Sequence, residues 1–448
     1  MTIAELLQSR KNDPRWNTSY PLEPSDWAAY RVHSPLPFEK DRRLSFYIHI
    51  PFCKQLCTFC EYTRMLCPNE DVQRDYLLAV ANDIEHFKQQ YQDFTLLGFD
   101  IGGGTPTSLS EDNFSLLMQI YQKAIIGLSI NDNYEPSIEA TFNTLSERKL
   151  EEMSKHDIQR LSLGVQSSCT SVLQHHHRGT DSEDIMSSWI KMAWKKGIKK
   201  VNLDFMYGLN GQNSSTIQQD LDLISRLKPQ QVTLYELRHN MISAKSPVTK
   251  EELYNQYTQY YEGLIAMGYD ARFGQNTFSV DVADEGVSSY LRERMLNGAA
   301  YKGFGLSAQS MSSSGVAYNV GKLASTPQNE LHADGYPEHF TYLLPPEELA
   351  SKYVAISAYN GSFSLNRLKD FGISEEYLNE ILDFCIGEGL LYKGNSDRVF
   401  VSRKGFVHYG ALFSLFYSNK QSLYDLNRFE KFDSSFVRCP LVFDVGNF

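Results

Sequence analysis

Long hydrophobic runs are absent from this sequence of 448 residues. None approaches the roughly 18 consecutive apolar residues that a membrane-spanning helix requires. The first residues, MTIAELLQSRKNDPRW, carry charges early and lack the apolar segment of a secretory signal peptide. These absences predict a cytoplasmic protein without a transmembrane segment.

Positive charge is outweighed by negative charge, and neither glycine nor proline is enriched. The 43 Lys and Arg residues are outnumbered by 54 Asp and Glu residues, which gives a net charge of −11. Because phosphate backbones are bound by clustered cations, this balance argues against nucleic acid as a partner. With 28 Gly, 16 Pro and 42% hydrophobic residues, the chain is neither collagen-like nor disordered. We expect a folded globular protein with a large core.

Cysteine is sparse and unevenly placed. The seven cysteines lie at positions 53, 57, 60, 67, 169, 385 and 439. Their number is odd, and the first four are crowded together, which is not the pattern of a disulfide framework. In a reducing compartment, such crowding indicates a metal site.

A repeated unit begins at residue 46. In each unit a short apolar stretch, rich in β-branched or aromatic residues, precedes an amphipathic stretch, which is the pattern of βα units around a parallel sheet. The predicted strands are Phe46–Ile50, Gly98–Ile101, Ser137–Thr141, Arg160–Val165, Lys200–Met206 and Gln231–Glu236. The predicted helices between them include Asp71–Gln90 and Ser110–Ala124, the latter with Ser110 as its N-cap. Six units predict an α/β fold, a partial (βα)6 barrel resembling a TIM barrel.

The pattern changes after residue 240. A tyrosine-rich helix is predicted over Glu251–Met267, followed by irregular backbone to about residue 345. In the tail, helical patterns precede a hairpin: Pro346–Tyr359, Ser364–Phe371, Ser374–Glu388, then Leu390–Lys393 and Val399–Ser402 around the turn Gly394–Asp397. This order resembles a winged helix, for which packing or substrate covering suits the acidic chain better than DNA binding.

These changes predict four regions. Residues 1–43 form an N-terminal extension and residues 44–240 the barrel. Residues 241–345 form a substrate-covering segment, and residues 346–448 a small C-terminal α+β domain of winged-helix type.

Three cysteines follow the first predicted strand directly. Cys53, Cys57 and Cys60 have the spacing C-x3-C-x2-C in the sequence HIPFCKQLCTFC. Structural zinc sites take four protein ligands, and no further Cys or His pair follows at zinc-finger spacing. Three thiolates suit a [4Fe–4S] cluster with one iron open to an outside ligand. Zinc and coincidentally buried cysteines remain alternatives, and Cys67, beyond the tight loop, could in principle be a fourth ligand.

A glycine-rich loop, GGGTPT at positions 102–107, follows the second predicted strand. A tight turn is its simplest interpretation. In a βα barrel, however, this loop and the cysteine loop would both lie at the carboxyl ends of the strands, where active sites occur. Glycine allows a ligand to approach the backbone closely and to accept its N–H groups. Both signals therefore point to one face of the barrel.

Together these motifs resemble the radical S-adenosylmethionine (SAM) family of oxygen-independent coproporphyrinogen oxidases, the HemN-like proteins. The resemblance rests on YIHIPFC running into C-x3-C-x2-C, then GGGTPT, RLSLGVQS (160–167), NLDFMYGLNGQ (202–212) and YKGFGLSAQS (301–310). It implies a partial barrel, a [4Fe–4S] cluster on Cys53, Cys57 and Cys60, and SAM bound at the open iron. Reduction of SAM there would yield a 5′-deoxyadenosyl radical, and the protein would orient the substrate.

The resemblance also implies which residues line the cofactors. Those carried over for SAM are Tyr47, Phe59, Gly103, Gly104, Thr105, Glu139, Gln166, Arg178 and Asp204. The glycine loop would face the methionine part of SAM and a second SAM molecule. A carboxylate such as Glu139 can accept hydrogen bonds from ligand hydroxyl or ammonium groups, although it could also be an exposed acid at a helix start.

Three other features have simpler interpretations. His175, His176 and His177 are neighbours on one element and cannot all face one ion, so we do not predict a metal there. His49 fits either cofactor-site support or a satisfied core histidine. The tyrosines of the long helix, Tyr254, Tyr257, Tyr260 and Tyr261, recur at helical spacing and predict a packed face, with a substrate-facing stripe as the alternative.

The sequence departs from the oxidases at two positions. They extend the cysteine motif to C-x3-C-x2-C-x-C, whereas Cys60 is followed here by Glu61 and Tyr62, and an apolar residue bordering their second cofactor is replaced by Gln309. We therefore predict a radical SAM C-methyltransferase that uses two SAM molecules on an aromatic substrate, with a menaquinone ring as a candidate. The alternatives are coproporphyrinogen dehydrogenase, an oxidoreductase, or another tetrapyrrole-modifying enzyme, and a heme-binding chaperone. As an enzyme it would need an electron donor such as flavodoxin or ferredoxin.

Overall fold

The computed structural model describes residues 2–11, 20–21, 24–237, 248–321, 338–394 and 397–417. None of the helices in these ranges has the length and apolarity to cross a bilayer. One continuous hydrophobic core runs from the barrel into the C-terminal region, including Phe46 and Leu203 in the barrel and Tyr353 and Phe413 in the C-terminal region.

Most strands belong to one large sheet. The strands are β1 (Arg31–Val32), β2 (Arg43–Ile50), β3 (Phe52–Cys53), β4 (Met65–Leu66), β5 (Thr95–Gly103), β6 (Ser129–Ile130), β7 (Ser137–Ala140), β8 (Arg160–Gln166), β9 (Lys200–Tyr207), β10 (Gln231–Glu236), β11 (Thr277–Ser279), β12 (Ala300–Phe304), β13 (Gln309–Ser312), β14 (Gly315–Asn319), β15 (Glu338–Leu343), β16 (Ser362–Ser364), β17 (Leu391–Lys393) and β18 (Arg398–Val401). The order in the large sheet is β1-β15-β14-β13-β12-β2-β5-β7-β8-β9-β10-β11, with β6 beside β5.

The six predicted strands form the parallel centre of this sheet. They correspond to β2, β5, β7, β8, β9 and β10, and each is paired in parallel with its neighbour. In β2 and β9 nearly every residue is buried, because a parallel sheet is covered on both faces. The predicted α/β fold with a partial barrel is confirmed.

Helices cover the outside of the parallel strands and continue into the tail. They are α1 (Ile3–Arg10), α2 (Glu70–Gln90), α3 (Glu111–Ile125), α4 (Glu147–Lys155), α5 (Thr170–Gln174), α6 (Glu183–Lys195), α7 (Ser214–Leu227), α8 (Lys250–Ala266), α9 (Ser289–Leu291), α10 (Pro346–Ser357), α11 (Leu365–Asp370), α12 (Glu375–Gly387), α13 (Arg403–Phe406) and α14 (Tyr409–Ser414). Ser110 caps α3, as predicted, because its hydroxyl accepts the backbone N–H of Asn113.

The expectation of irregular backbone up to residue 345 was wrong. Strand β12 joins the sheet in parallel beside β2, and β13, β14 and β15 extend it as an antiparallel ribbon. At the opposite edge, β11 pairs antiparallel with β10. The sequence did not predict these strands because they contain many polar residues: β13 has the sequence QSMS, yet all four residues are buried. Residues 322–337 of this segment lie outside the described residues.

The C-terminal region contains helices α10 to α12 and a small sheet in the order β16-β18-β17. Strands β17 and β18 pair antiparallel, which confirms the predicted hairpin, although residues 395–396 of its turn lie outside the described residues. This region rests on the edge of the barrel: Tyr353 donates its hydroxyl to Leu296 O at 2.9 Å, and Arg367 donates to Gly298 O at 2.8 Å.

The tyrosines of α8 form a packed face, as predicted. Tyr257 and Tyr260 are 1% and 0% exposed. Tyr257 lies against Phe406 with 4.4 Å between ring centroids, so this face joins the barrel to the tail.

Candidate functional site

Two adjoining cavities open at the carboxyl ends of the parallel strands. We call the first the cysteine chamber, of about 220 Å³, because Cys53, Cys57 and Cys60 line it. The second, of about 260 Å³, is the arginine chamber, lined by Arg160 and Arg294 among others. The residues that line both chambers are Glu61, Tyr62, Gly103, Glu139, Ser162, Tyr235 and Tyr359. The two chambers therefore adjoin, and these side chains form the wall between them.

The cysteine loop follows β2 and is held in place by its own backbone. Met65 N–H donates to Pro51 O and Cys67 N–H to Cys53 O, both at 2.8 Å, so the loop returns beside its start. Cys53 and Cys57 are 7% and 8% exposed. Cys67 does not line the chamber, and its thiol instead donates to Ser108 O at 3.3 Å. The loop thus presents three thiols together and turns the fourth away.

The chemistry of these three thiols fits an iron–sulfur cluster. Burial raises the pKa of the Cys53 thiol to about 12, and the nearby thiols of Cys60 and Cys57 add to this rise. Iron binding removes such protons, because the ligand is the thiolate. No group of three or more His, Cys, Asp or Glu side chains in the described ranges is arranged around a single ion. In a cluster each thiolate binds its own iron, so the thiols need not converge on one point.

Polar groups surround the three thiols. Arg178 approaches Cys57 Sγ to 3.6 Å through Nη1, and its Nη2 donates to Gly164 O on β8 at 2.5 Å. The hydroxyl of Thr105 lies 3.8 Å from Cys53 Sγ. Donors of this kind stabilise the negative charge of a bound cluster.

The glycine loop is fastened to the cysteine loop. Gly104 N–H donates to Ile50 O at 2.8 Å and Thr105 N–H to Phe52 O at 2.7 Å. A Cβ on Gly104 would lie 2.8 Å from Phe52 O and 2.9 Å from Cys53 Sγ, so no side chain fits there. Gly103 has φ +118°, a conformation that favours glycine. Both glycines are therefore needed to keep the two loops in contact.

Glu139 lies on β7 between the two chambers. Its Oε2 accepts the N–H of Gly103 at 3.0 Å, while the rest of the side chain is exposed to the cavity. Its place inside the barrel and the negative charges of Asp204 and Asp100 raise the pKa of Glu139 to about 8. A ligand donor that reaches this carboxylate would favour its ionised form.

Asp204 and Gln166 lie on the neighbouring strands β9 and β8, and Gln166 is the last residue of β8. Asp204 accepts Ser162 Oγ at 3.0 Å and Asn202 Nδ2 at 2.7 Å, and burial raises its pKa to about 6. Gln166 has φ +71° where β8 ends, so the chain turns sharply there. Both side chains line the cysteine chamber, together with Phe59.

Tyr47 and Gln309 line the arginine chamber instead. Tyr47 stacks on Tyr290 with 5.7 Å between ring centroids, and its hydroxyl lies 3.3 Å from Nδ1 of His49. The other nitrogen of His49, Nε2, lies 2.8 Å from Thr63 O, and burial lowers the pKa of His49 to about 4. The neutral ring thus ties β2 to the cysteine loop, which fits both cofactor-site support and a satisfied core histidine.

The histidine triplet has one structural member. His176 is 2% exposed and lies under the cysteine loop: Thr58 N–H donates to its backbone oxygen at 3.2 Å. His175 and His177 are exposed, and Nδ1 of His175 bonds only to Ser171 O of the same turn. The three side chains therefore lie in different surroundings and do not converge on one point.

All the residues carried over from the family resemblance therefore line one chamber or the other. Sequence reasoning missed other lining residues, above all Asp100, Arg160, Tyr235 and Arg294. Tyr235 and Asp100 lie in predicted strands, whose inward positions were a signal that could have identified them. Arg294 lies in a π-helical turn, Arg292–Leu296, which no sequence period indicates.

Comparisons with known proteins agree with this geometry. Residues 47–224 match the radical SAM superfamily. The heme chaperone HemW of Haemophilus influenzae is 28% identical over 235 residues, which cover 50% of this chain and 60% of HemW. The oxygen-independent coproporphyrinogen III oxidase of Salmonella typhimurium is 29% identical over 243 residues, which cover 53% of this chain and 51% of the oxidase. The matched region thus spans only half to three fifths of these relatives' length.

The fold extends beyond the matched region. The structure of coproporphyrinogen III oxidase (HemN) from Escherichia coli superposes with a TM-score of 0.72 at 20% identity, covering 90% of this chain and 98% of that chain. Radical SAM domains use a [4Fe–4S] cluster and SAM, which are therefore the cofactors of residues 47–224. The chain carries a radical SAM domain, and its relatives and its fold are those of HemN-like proteins.

Proposed function

We propose that this protein is a radical SAM enzyme that modifies a tetrapyrrole. The observation that carries the proposal is that the cysteine chamber and the arginine chamber adjoin and share the lining residues Glu139, Tyr62 and Tyr235. When bound, the reduced cluster and SAM supply a 5′-deoxyadenosyl radical for hydrogen abstraction. The chain's own residues then have to hold the cofactors, place the substrate and exclude water.

The roles of the residues follow from their positions. Cys53, Cys57 and Cys60 hold the cluster, with Arg178 beside Cys57. Gly103, Gly104 and Thr105 present backbone to SAM, and Glu139 and Asp204 accept hydrogen bonds from it. A second SAM, bounded by Tyr47 and Gln309, would lie in the arginine chamber. The substrate would enter past Tyr62, which is 54% exposed.

The named relatives favour a tetrapyrrole over the methylation of an aromatic carbon, for which a menaquinone ring was our candidate. One relative is a coproporphyrinogen oxidase and the other a heme chaperone. At the positions of Tyr62 and Gln309 the chain still differs from the oxidases. The substrate therefore has to be identified by experiment. Coproporphyrinogen is the first substrate to test, with flavodoxin, ferredoxin or a chemical reductant as the electron donor.

The test is an anaerobic assay of the protein after cluster reconstitution. With methyl-labelled SAM, reductant and coproporphyrinogen, we expect 5′-deoxyadenosine and a product with altered propionate side chains. Cys57→Ala should form neither and should lose the cluster. Cys67→Ala is the matched control, because Cys67 lies in the same loop outside the chamber, and it should retain activity. Label in the acceptor, with the propionates unchanged, would instead establish methylation.

Heme binding without turnover is the second candidate, because HemW aligns over 50% of this chain. A chaperone should bind heme stoichiometrically, and Cys57→Ala should change this binding little. An enzyme should produce 5′-deoxyadenosine in amounts that exceed the protein. Stoichiometric heme binding with less than one 5′-deoxyadenosine per chain would reject the enzymatic proposal.

A further inference from the structure

Arg294 lines the arginine chamber and is contacted mainly by neutral groups, while the carboxyl of Asp100 in the same chamber acts on it only electrostatically, from beyond ion-pair distance. Nη1 of Arg294 lies 3.4 Å from the hydroxyl of Tyr290, and its Nη2 donates to Gln309 Oε1 at 3.2 Å. Its guanidinium lies over the ring of Tyr301, 4.7 Å from the centroid. Its Nε is buried and makes no hydrogen bond. No carboxylate in the described part of the chain forms an ion pair with Arg294.

This arrangement differs from that of the other cations near the chamber. Arg160 is 4% exposed, and its Nε and Nη1 donate within the protein, to Gln231 Oε1 at 2.6 Å and to Ser137 Oγ at 3.1 Å. Lys352 directs its ammonium to Tyr20 O at 2.7 Å. Arg294 alone among these three combines a chamber position with an unused buried donor.

The backbone at Arg294 is also unusual. Residues Arg292–Leu296 form a π-helical turn, in which Asn297 N–H donates to Arg292 O at 3.3 Å. Such turns are rare and occur preferentially at functional sites. Here the turn places Arg294 on the chamber wall, whereas Arg292 does not line the chamber and lies 3.9 Å from Glu285.

We propose that the arginine chamber binds a ligand through a carboxylate and that Arg294 is its binding partner. A guanidinium removed from bulk water needs an anion to offset its desolvation, and the planar guanidinium fork matches a carboxylate. The neutral neighbours Tyr290, Tyr301 and Gln309 hold the guanidinium in place without neutralising it. A ligand carboxylate would thus supply the directly bonded anion that Asp100, held by Ser288, does not provide.

The carboxylate has two possible sources. One is an acidic side chain of the tetrapyrrole, an assignment that rests on the proposed function. The other is the amino-acid end of a second SAM molecule. The chemistry at Arg294 is the same in both cases, so binding experiments have to separate them.

The probes are coproporphyrin III, its methyl ester and labelled SAM, each titrated into the reconstituted protein under anaerobic conditions. For Arg294→Met we expect coproporphyrin III to bind about 10- to 100-fold more weakly, because a charge-assisted hydrogen bond is lost. The ester has no carboxylates and should bind equally to both proteins. If SAM is the source, the number of SAM molecules bound per chain should fall by one instead.

Two further variants control for packing. Arg294→Lys keeps the positive charge but lacks the planar guanidinium group, and it should weaken binding of the carboxylate ligand less than Arg294→Met does. Arg292→Gln alters the same turn away from the chamber and should bind both ligands normally. Iron content and thermal unfolding should match in all four proteins.

The outcomes separate the two proposals. Unchanged binding of both ligands by Arg294→Met and Arg294→Lys would overturn the role of Arg294. If the unmodified protein binds no tetrapyrrole, the proposed function fails, but the number of bound SAM molecules still decides the assignment of Arg294. An equal loss of ester and acid binding would indicate a packing effect and would likewise overturn it.

Discussion

His176 accepts the backbone N–H of Asn210 at its Nε2, over 3.2 Å. The proton of the neutral ring must then be on Nδ1, which lies 3.2 Å from Thr58 Oγ1 in the cysteine loop. One imidazole therefore connects the loop after β9 to the loop that carries the cluster ligands, and the ring of Phe59 lies beside it.

The first prediction concerns this connection. His176→Ala removes two hydrogen bonds and a buried ring, and we expect it to lower the free energy of unfolding by about 2 kcal/mol. The cysteine loop should lose its support, so iron should leave the protein faster when a chelator is added. His175→Ala is the matched control, because His175 is exposed and bonds only within its own turn. Equal rates of iron loss in the two variants would contradict this role.

The second prediction concerns the contact between the glycine and cysteine loops. Gly104→Ala puts a methyl group within 2.8 Å of Phe52 O and 2.9 Å of Cys53 Sγ, so the cysteine loop must shift. We expect the variant to fold but to hold far less iron and sulfide after reconstitution. Gly387→Ala should behave normally, because a Cβ there meets no atom within 4 Å. Full cluster content in Gly104→Ala would show that the close contact is not required.

Much of the fold and site could be predicted because the relevant signals are local. The parallel strands are buried on both faces and read as apolar runs, and their carboxyl ends meet at one edge. Side chains at those ends, such as Glu139 and Gln166, therefore come together whatever the details of the helices. The spacing of Cys53, Cys57 and Cys60 is likewise confined to one loop.

The remainder depends on long-range pairing. Strand β13 is polar in sequence and becomes a strand only because β12 and β14 pair with it. Arg294 faces the chamber through a π-helical turn, and its neighbours Gln309 and Tyr301 come from other elements. Neither strand β13 nor the position of Arg294 is marked by a hydrophobic periodicity or a motif, so the sequence alone could not predict them.

The third prediction concerns cofactor binding. Asp204 lines the cysteine chamber but touches none of its thiols, being held by Ser162 and Asn202. If it accepts hydrogen bonds from SAM, Asp204→Ala should weaken SAM binding by about tenfold or more, with unchanged iron and sulfide. Asp222→Ala, on the exposed face of α7, is the control and should bind SAM normally. A normal dissociation constant for SAM in Asp204→Ala would place the cofactor elsewhere.

The fourth prediction concerns pH. Burial raises the pKa of Asp100 to about 7, although the hydroxyl of Ser288 donates to its Oδ2 at 2.6 Å. In the unfolded chain this carboxyl loses its proton near pH 4. Between about pH 4 and 7 the unfolded state thus binds fewer protons, so Asp100 makes the free energy of unfolding fall as pH rises.

Asp100→Asn removes this ionisation and can still accept the Ser288 hydroxyl. We expect the variant to match the unmodified protein near pH 4 and to exceed its stability by about 2 kcal/mol above pH 7, allowing for water in the chamber. Urea unfolding under anaerobic conditions across this range measures the difference. Asp132→Asn is the control: its side chain is exposed, so its curve should follow that of the unmodified protein. We expect the difference in free energy of unfolding between Asp100→Asn and the unmodified protein to grow as pH rises toward 7. A difference that is the same at every pH would mean that Asp100 is already ionised in the folded chain.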